Sequence, residues 1–159
     1  MNTLVIGGTG FVGKYFFKFT KLKNIIFTST RKKAGFVKFD MLKDKIHPII
    51  NKYKINCVVF LSAKSNPDYC EKNIKNSNLI NVLKTREILR VLLKKKIYFI
   101  FFSSEYVFDG QDGNYTEKSF AKTKLLYGRQ KLKIEKFLQN KKKNFFSILR
   151  ISKTFGDDL

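Results

Sequence analysis

Histidine is nearly missing from this sequence: His47 is the only one in 159 residues. That excludes a His-based catalytic triad and a multi-His metal site. Cysteine is scarce as well. Cys57 and Cys70 are too few for a disulfide framework or a cysteine zinc site, so no metal is expected. No apolar run approaches the ~18 residues of a membrane span. The N-terminus turns to glycine before an apolar stretch of signal-peptide length. A soluble chain in a reducing, cytoplasmic setting is the default expectation. Acidic residues are few, 12 against 33 Lys plus Arg, for a formal charge of +21. Such an excess invites a nucleic-acid or anionic-membrane reading. The basic residues are almost all lysine, however, with arginine only at Arg31, Arg86, Arg90, Arg129 and Arg150. Alanine occurs only at Ala34, Ala63 and Ala121. Lys, Phe, Ile and Asn have AT-rich codons and Ala has GC-rich ones, so a biased genome gives this composition without selection for a polyanion. The lysines are scattered and no aromatic-basic reader motif appears. Neither a specific nucleic acid nor a membrane is expected as a partner.

What is present is enough apolar residue, 43% of the chain, to build one domain with a real core. Apolar runs alternate with longer mixed segments, the pattern of strand-helix units around a parallel sheet. Strands are expected at Leu4–Ile6, Asn24–Ser29, Val37–Phe39, Cys57–Leu61, Ile97–Phe102 and Phe145–Ile151. Helices are expected at Phe11–Phe19, Leu42–Tyr53, Leu79–Leu93 and Thr123–Gln139, with Pro48 near the first turn of the second or bending it. Pro67 and its polar neighbours read as a loop. Continuous apolar strands joined by helices indicate an α/β fold: a doubly wound parallel sheet in three α/β/α layers. Ligands of such sheets sit at the carboxyl ends of the strands.

The first strand runs into Gly7-Gly8-Thr9-Gly10-Phe11-Val12-Gly13. Gly7, Gly10 and Gly13 have the G-x-x-G-x-x-G spacing. The first allows a tight turn, the second a close approach of a pyrophosphate to the backbone, and the third close packing of the helix on the sheet. The helix N-terminus then offers N–H groups and partial positive charge to phosphates. Position between strand and helix makes this a Rossmann-type dinucleotide site, with Gly7, Thr9, Gly10 and Gly13 as candidate cofactor residues. The second strand ends at Ser29-Thr30-Arg31. A basic residue there suits a 2′-phosphate, so Arg31 favours NADP over NAD; a solvated basic loop is the other reading. Asp40, after the third strand, sits where such folds approach the adenine, or caps a helix.

Tyr127 and Lys131 lie four residues apart in a helical stretch and so share a face. Ser103 and Ser104 fall where the fifth strand ends. A tyrosine hydroxyl can protonate a carbonyl oxygen while a nicotinamide delivers hydride, and a serine hydroxyl can hold the same oxygen. A neighbouring ammonium and an oxidised nicotinamide favour the phenolate, so a lowered Tyr127 pKa is expected.

With these residues in place, the chain resembles the extended short-chain dehydrogenase/reductases, and within them the dTDP-4-dehydrorhamnose reductase family of sugar-nucleotide reductases. The resemblance rests on Ser103-Ser104-Glu105-Tyr106-Val107-Phe108-Asp109-Gly110, on Tyr115-Thr116-Glu117 and on Tyr127-Gly128-Arg129-Gln130-Lys131-Leu132 followed by Glu135. It continues through Leu149-Arg150-Ile151 to Phe155-Gly156. It implies that Ser104 polarises a keto oxygen, that Tyr127 donates the proton, and that Lys131 binds the nicotinamide ribose and tunes Tyr127. It implies that Gly10, Phe11 and Val12 contact the pyrophosphate and that Leu61, Ser62, Ala63 and Lys64 line the cofactor. Glu105 and Tyr106 would face the substrate with Ser104 and Tyr127. The implied reaction is NAD(P)H-dependent reduction of a nucleotide-linked 4-keto sugar. An epimerase or dehydratase on the same scaffold and a non-catalytic sugar-nucleotide-binding relative are the alternatives. Ser104 stands where the family carries threonine, Glu105 where it carries aspartate, and Lys64 where a small residue is usual. Family members continue with a substrate lobe, so residues 1–159 are expected to be the NAD(P)-binding domain of a truncated or split form. A homodimer, or a partner chain supplying that lobe, follows from the same resemblance.

Overall fold

The computed structural model of the chain describes residues 1–141 and 143–156; residues 157–159 of the expected domain lie outside the described residues. Six parallel strands form one sheet: β1 (Thr3–Ile6), β2 (Ile25–Ser29), β3 (Phe36–Lys38), β4 (Cys57–Phe60), β5 (Tyr98–Ser104) and β6 (Phe146–Ile151). Their spatial order is β3-β2-β1-β4-β5-β6. The chain therefore leaves β1 in one direction and restarts at β4 on its other side, the switch point where such sheets open a crevice. Thr3–Ile6 pair with Cys57–Phe60 along their full length. Both strands are buried throughout, which is why they read as unbroken apolar runs.

Side chains alternate across the sheet and divide the core in two. Leu4, Ile6, Val58, Phe60, Phe99 and Phe101 join one cluster with Ile49 and Ile50 of α2 (His47–Lys52). Leu89 and Leu92 of α5 (Thr85–Lys94) and Ile134 and Leu138 of α6 (Leu126–Gln139) complete it. Val5, Phe27 and Val59 face the other way, onto Phe16 of α1 (Phe11–Phe19). Helices on both faces give the three-layer α/β/α arrangement expected. On the α1 side, Ile100 and Phe102 of β5 are only half-buried and Leu149 of β6 is 43% exposed.

Two expectations are corrected. Helix α2 is shorter than 42–53, because Asp40–Asp44 closes into a turn: the Lys43 and Asp44 N–H groups donate to the Asp40 carbonyl. Pro48 is then tolerated in the first turn of α2. The polar stretch at Pro67 is helical rather than loop, forming α3 (Pro67–Lys72) and α4 (Ile74–Asn78). Asn66 caps α3 by accepting from the Tyr69 N–H at 2.8 Å, with Pro67 at its first helical position. A π-helical turn, Leu79–Lys84, joins α4 to α5.

Candidate active site

The glycine turn is built from three different constraints. Gly7 has φ +94°, and a Cβ there would come within 2.8 Å of the Ser62 backbone nitrogen. Gly13 lies under the turn, where a Cβ would overlap the Gly7 carbonyl oxygen. Gly10 differs. Its φ is −71°, open to any residue, and a Cβ would meet only the Gly7 oxygen at 3.4 Å. The chain itself does not need glycine at position 10; the space it leaves opens into the cleft. Helix α1, nine residues long, has no side-chain cap among the described residues and no acid in its first turn. Uncapped N–H groups facing a void that a Cβ would fill fit a dinucleotide pyrophosphate. Thr28 of β2, not singled out by the sequence, anchors the turn. Its hydroxyl donates to the Val5 carbonyl at 3.1 Å and accepts from the Gly7 N–H at 3.3 Å.

These constraints separate two substitutions. Gly13→Ala is expected to cost about 1–3 kcal/mol in urea denaturation, through overlap with backbone that cannot yield. Gly10→Ala is expected to leave stability unchanged or raise it by about 0.4–1 kcal/mol, since its φ suits alanine. The same variant should weaken dinucleotide binding in a fluorescence titration.

Two adjoining cavities open at the carboxyl ends of the strands. One, of about 420 Å³, is lined by Thr9 and Gly10, by Thr28, Ser29 and Thr30, and by Asp40, Leu61, Ser62, Ala63 and Lys64. The Asp40 carboxylate accepts from the Leu42 N–H at 2.9 Å, so it also caps the turn that follows β3. The Lys64 ammonium lies 5.4 Å from the Tyr69 ring centre. Arg31 is exposed beyond β2 and does not line this cavity; its backbone N–H donates to the Ser29 hydroxyl at 3.2 Å.

The other cavity, of about 490 Å³, brings Gly7, Gly10, Phe11, Val12 and Gly13 together with Ser104, Tyr106, Tyr127 and Lys131. The two serines of β5 have different duties. The Ser103 hydroxyl donates to Glu135 Oε1 at 2.5 Å. Among the described residues the Ser104 hydroxyl accepts only a long 3.3 Å bond from the Tyr106 N–H, which leaves its donor for the cleft. Tyr127 sits in the first turn of α6, whose Leu126 N–H is capped by the Glu71 carboxylate of α3 at 2.7 Å. Its ring meets that of Tyr106 edge-on at 6.1 Å. Gly128 permits this approach, because a Cβ there would overlap the Tyr106 carbonyl.

Lys131 is buried, and its ammonium donates to the Phe102 carbonyl at 2.6 Å. Burial pulls its pKa from 10.5 down to about 8, with Glu135 pulling the other way. The expected fall in the Tyr127 pKa is not what the protein's own groups produce. Burial pushes the phenol up, and Cys70 and Tyr106 push in the same direction. Glu105 is exposed and lies off the cavity lining, its carboxylate accepting from the Lys153 N–H at 2.9 Å. Ser65, Asn66 and Pro67 and the segment Ser152–Thr154 also line the cavity. Neither was anticipated, although Ser152 follows the carboxyl end of a strand. Among the described residues there is no acid, cysteine and histidine cluster that could hold a metal, and no helix long and apolar enough to cross a membrane.

Sheet order, glycine turn and cleft together define a Rossmann-type α/β protein with its crevice at the β1–β4 switch point. Residues 1–158 match the RmlD substrate binding domain family, and the chain belongs to it. The resemblance to dTDP-4-dehydrorhamnose reductases is thereby borne out. The chain is 28% identical over 161 residues to methionine adenosyltransferase 2 subunit beta of Xenopus laevis, covering 98% of this chain and 48% of that one. It is 28% identical over 116 residues to dTDP-4-dehydrorhamnose reductase of Aggregatibacter actinomycetemcomitans, covering 72% and 39%. A crystal structure of a hypothetical dTDP-4-dehydrorhamnose reductase from Sulfolobus tokodaii superposes with a TM-score of 0.85 at 26% identity, covering 99% and 58%. The chain spans about half the length of the curated relative it matches almost end to end.

Proposed function

We propose that this chain is the dinucleotide-binding and catalytic portion of an NAD(P)H-dependent reductase acting on a nucleotide-linked 4-keto sugar. The observation that carries this reading is that Ser104, Tyr127 and Lys131 line one cavity with the Gly7–Gly13 turn. A bound nicotinamide dinucleotide would supply the hydride. Ser104 then hydrogen-bonds the keto oxygen through its free hydroxyl, and Tyr127 gives its phenolic proton to that oxygen as the carbonyl becomes an alcohol. The Lys131 ammonium holds the ribose and steadies the resulting phenolate. Hydroxyls at Ser29 and Thr30, with no carboxylate at the end of β2, favour NADP. The half-buried face of β5 and β6 supports a further element packing there, consistent with a substrate lobe supplied outside these residues.

A fluorescence titration with NADPH, followed by turnover of a dTDP-4-keto sugar, tests the reading. Binding without turnover would confine this chain to the cofactor half. Absence of both would favour a non-catalytic relative. The likeness to a methionine adenosyltransferase subunit favours that second reading. A dehydratase is less well supported, since Glu105 is the one acid beside Ser104 and it is engaged by the Lys153 backbone.

The lysine gives a pH signature. Its ammonium persists below about pH 8 and is lost above it. NADPH affinity is therefore expected to fall as pH rises through about 8, and Lys131→Met should bind weakly at every pH with that inflection gone. Stability moves the opposite way. Between about 8 and the ordinary 10.5, the unfolded chain binds the proton that the folded chain has released. This group's contribution to stability thus rises with pH across that window.

A further inference from the structure

The edge of the sheet opposite the cavities is built from the connections that return helix to strand: residues 20–24, 53–56, 95–97 and 140–145. Read along the sequence their lysines look scattered, and no membrane partner is expected. The parallel topology gathers them at one edge. Lys21 and Lys23 follow α1, Lys52 and Lys54 close α2, Lys94, Lys95 and Lys96 close α5, and Lys141 follows α6. All are exposed, and none is paired with a carboxylate among the described residues. The four connections contain no Asp, Glu or Arg.

Helix dipoles favour cations at helix C-termini, which makes such a cluster tolerable. They do not explain two of the lysines. Lys54 and Lys96 have φ +50° and +55°, left-handed backbone that favours glycine or asparagine. Asn24 fills the matching position before β2, with φ +58°. Asparagine codons are as AT-rich as lysine codons, so composition bias does not account for lysine at 54 and 96. The edge is also fixed in shape. The Asn2 side-chain amide donates to the Tyr53 carbonyl at 2.9 Å, and the Asn2 carbonyl accepts from the Asn56 N–H at 3.1 Å. The Thr3 N–H donates to the Asn24 carbonyl at 3.0 Å. Beside these lysines stand apolar side chains: Met1 is 78% exposed, Phe19 63% and Leu22 62%.

We propose that this edge docks on an anionic membrane surface, the lysines meeting lipid headgroups while Met1, Phe19 and Leu22 enter the headgroup layer. Arginine's rigid fork suits fixed phosphates, whereas lysine is a point charge on a flexible stem, suited to mobile headgroups. Exposed apolar side chains beside a basic cluster are the second signal such a surface uses. Docking leaves the cavities facing solvent, and the proposal does not rest on the cofactor reading.

The test is sedimentation with vesicles of phosphatidylcholine, alone or with about one-third phosphatidylserine. The chain should bind only the anionic vesicles, and release them as salt rises and screening shortens. The triple replacement Lys54→Asn, Lys95→Gln and Lys96→Asn should weaken binding about a hundredfold, each lysine being worth roughly fivefold. Its thermal midpoint should hold or rise, because asparagine suits the left-handed positions. Lys118→Gln, Lys122→Gln and Lys124→Gln remove the same charge from the cleft side, between β5 and α6, and should change binding less than about threefold. Leu22→Ser should weaken it about fivefold. In the unaltered chain, anionic vesicles should slow amide exchange at residues 20–24 and 95–97 and leave 105–124 unchanged. No binding to anionic vesicles overturns the proposal. Equal losses from the two triple variants, or protection centred on 105–124, overturn it by making net charge or the cleft the cause. Binding to poly(U) RNA that is tighter than to the vesicles and indifferent to Leu22→Ser also overturns it, and would assign the edge to nucleic acid.

Discussion

Tyr127→Phe is expected to reduce turnover of a nucleotide 4-keto sugar by about 10²–10⁴-fold, the usual worth of a positioned general acid. NADPH affinity and thermal midpoint should stay close to those of the unaltered chain. The reason lies in what the ring does apart from its hydroxyl. It is 5% exposed and packs edge-on against Tyr106, and phenylalanine preserves both the shape and that contact. Only the proton is lost. The raised pKa sharpens this expectation, because burial keeps the hydroxyl protonated until a cation or substrate oxygen draws on it. Single-turnover kinetics with saturating NADPH measures the effect. Turnover that survives the substitution would assign the proton to another donor. Any biological activity left unchanged by it would favour the non-catalytic reading.

The sheet was legible because its signal is local. Each strand is a short run of β-branched and aromatic residues, and all six appear within a residue or two of their expected places. The glycine turn was legible for a related reason: the positive φ of Gly7 and the packing of Gly13 under Gly7 and Gly8 are set within seven residues, although Ser62 also crowds Gly7 from β4's end. Helix α3 was missed because its start is written in capping chemistry, Asn66 then Pro67 then Asp68, rather than in apolar periodicity. The π turn left no periodic trace either. Asn81 looks like an ordinary polar residue in a helix until the fold brings Lys64 and Gln130 to it.

The contacts that tune the site are long-range, and these the sequence could not show. Arg150 and Glu135 were both visible as parts of a resemblance, but their meeting depends on β6 lying beside β5 with α6 above. Similarly, Ser103 and Ser104 are equivalent as text. Strand alternation and the position of Glu135 decide that the first is engaged and the second free.

That junction carries the second large effect. Glu135→Ala is expected to lower stability by about 3 kcal/mol, near the low end for breaking a buried ion pair. The carboxylate is 1% exposed and accepts from the Ser103 hydroxyl, from Arg150 Nε at 3.1 Å and from Arg150 Nη2 at 2.7 Å. Removing it strands a guanidinium whose Nη1 already lacks a partner among the described residues and whose pKa is raised chiefly by its hydrogen bonds to Glu135. The low end applies because the Arg150 side chain keeps 21% of its exposure at the sheet edge. Glu135→Gln should cost less, since its amide oxygen still accepts. The double replacement Glu135→Leu with Arg150→Met should recover much of the loss, because two apolar side chains leave no charge unpaired. Glu135 also supports the Lys131 charge, so both single variants should move the pH inflection of NADPH binding below about 8. Urea denaturation measures the first effect and fluorescence titration the second. A Glu135→Ala loss under about 1 kcal/mol would show that the pair is no stronger than an exposed one. An inflection that does not move would show that burial alone sets the Lys131 proton.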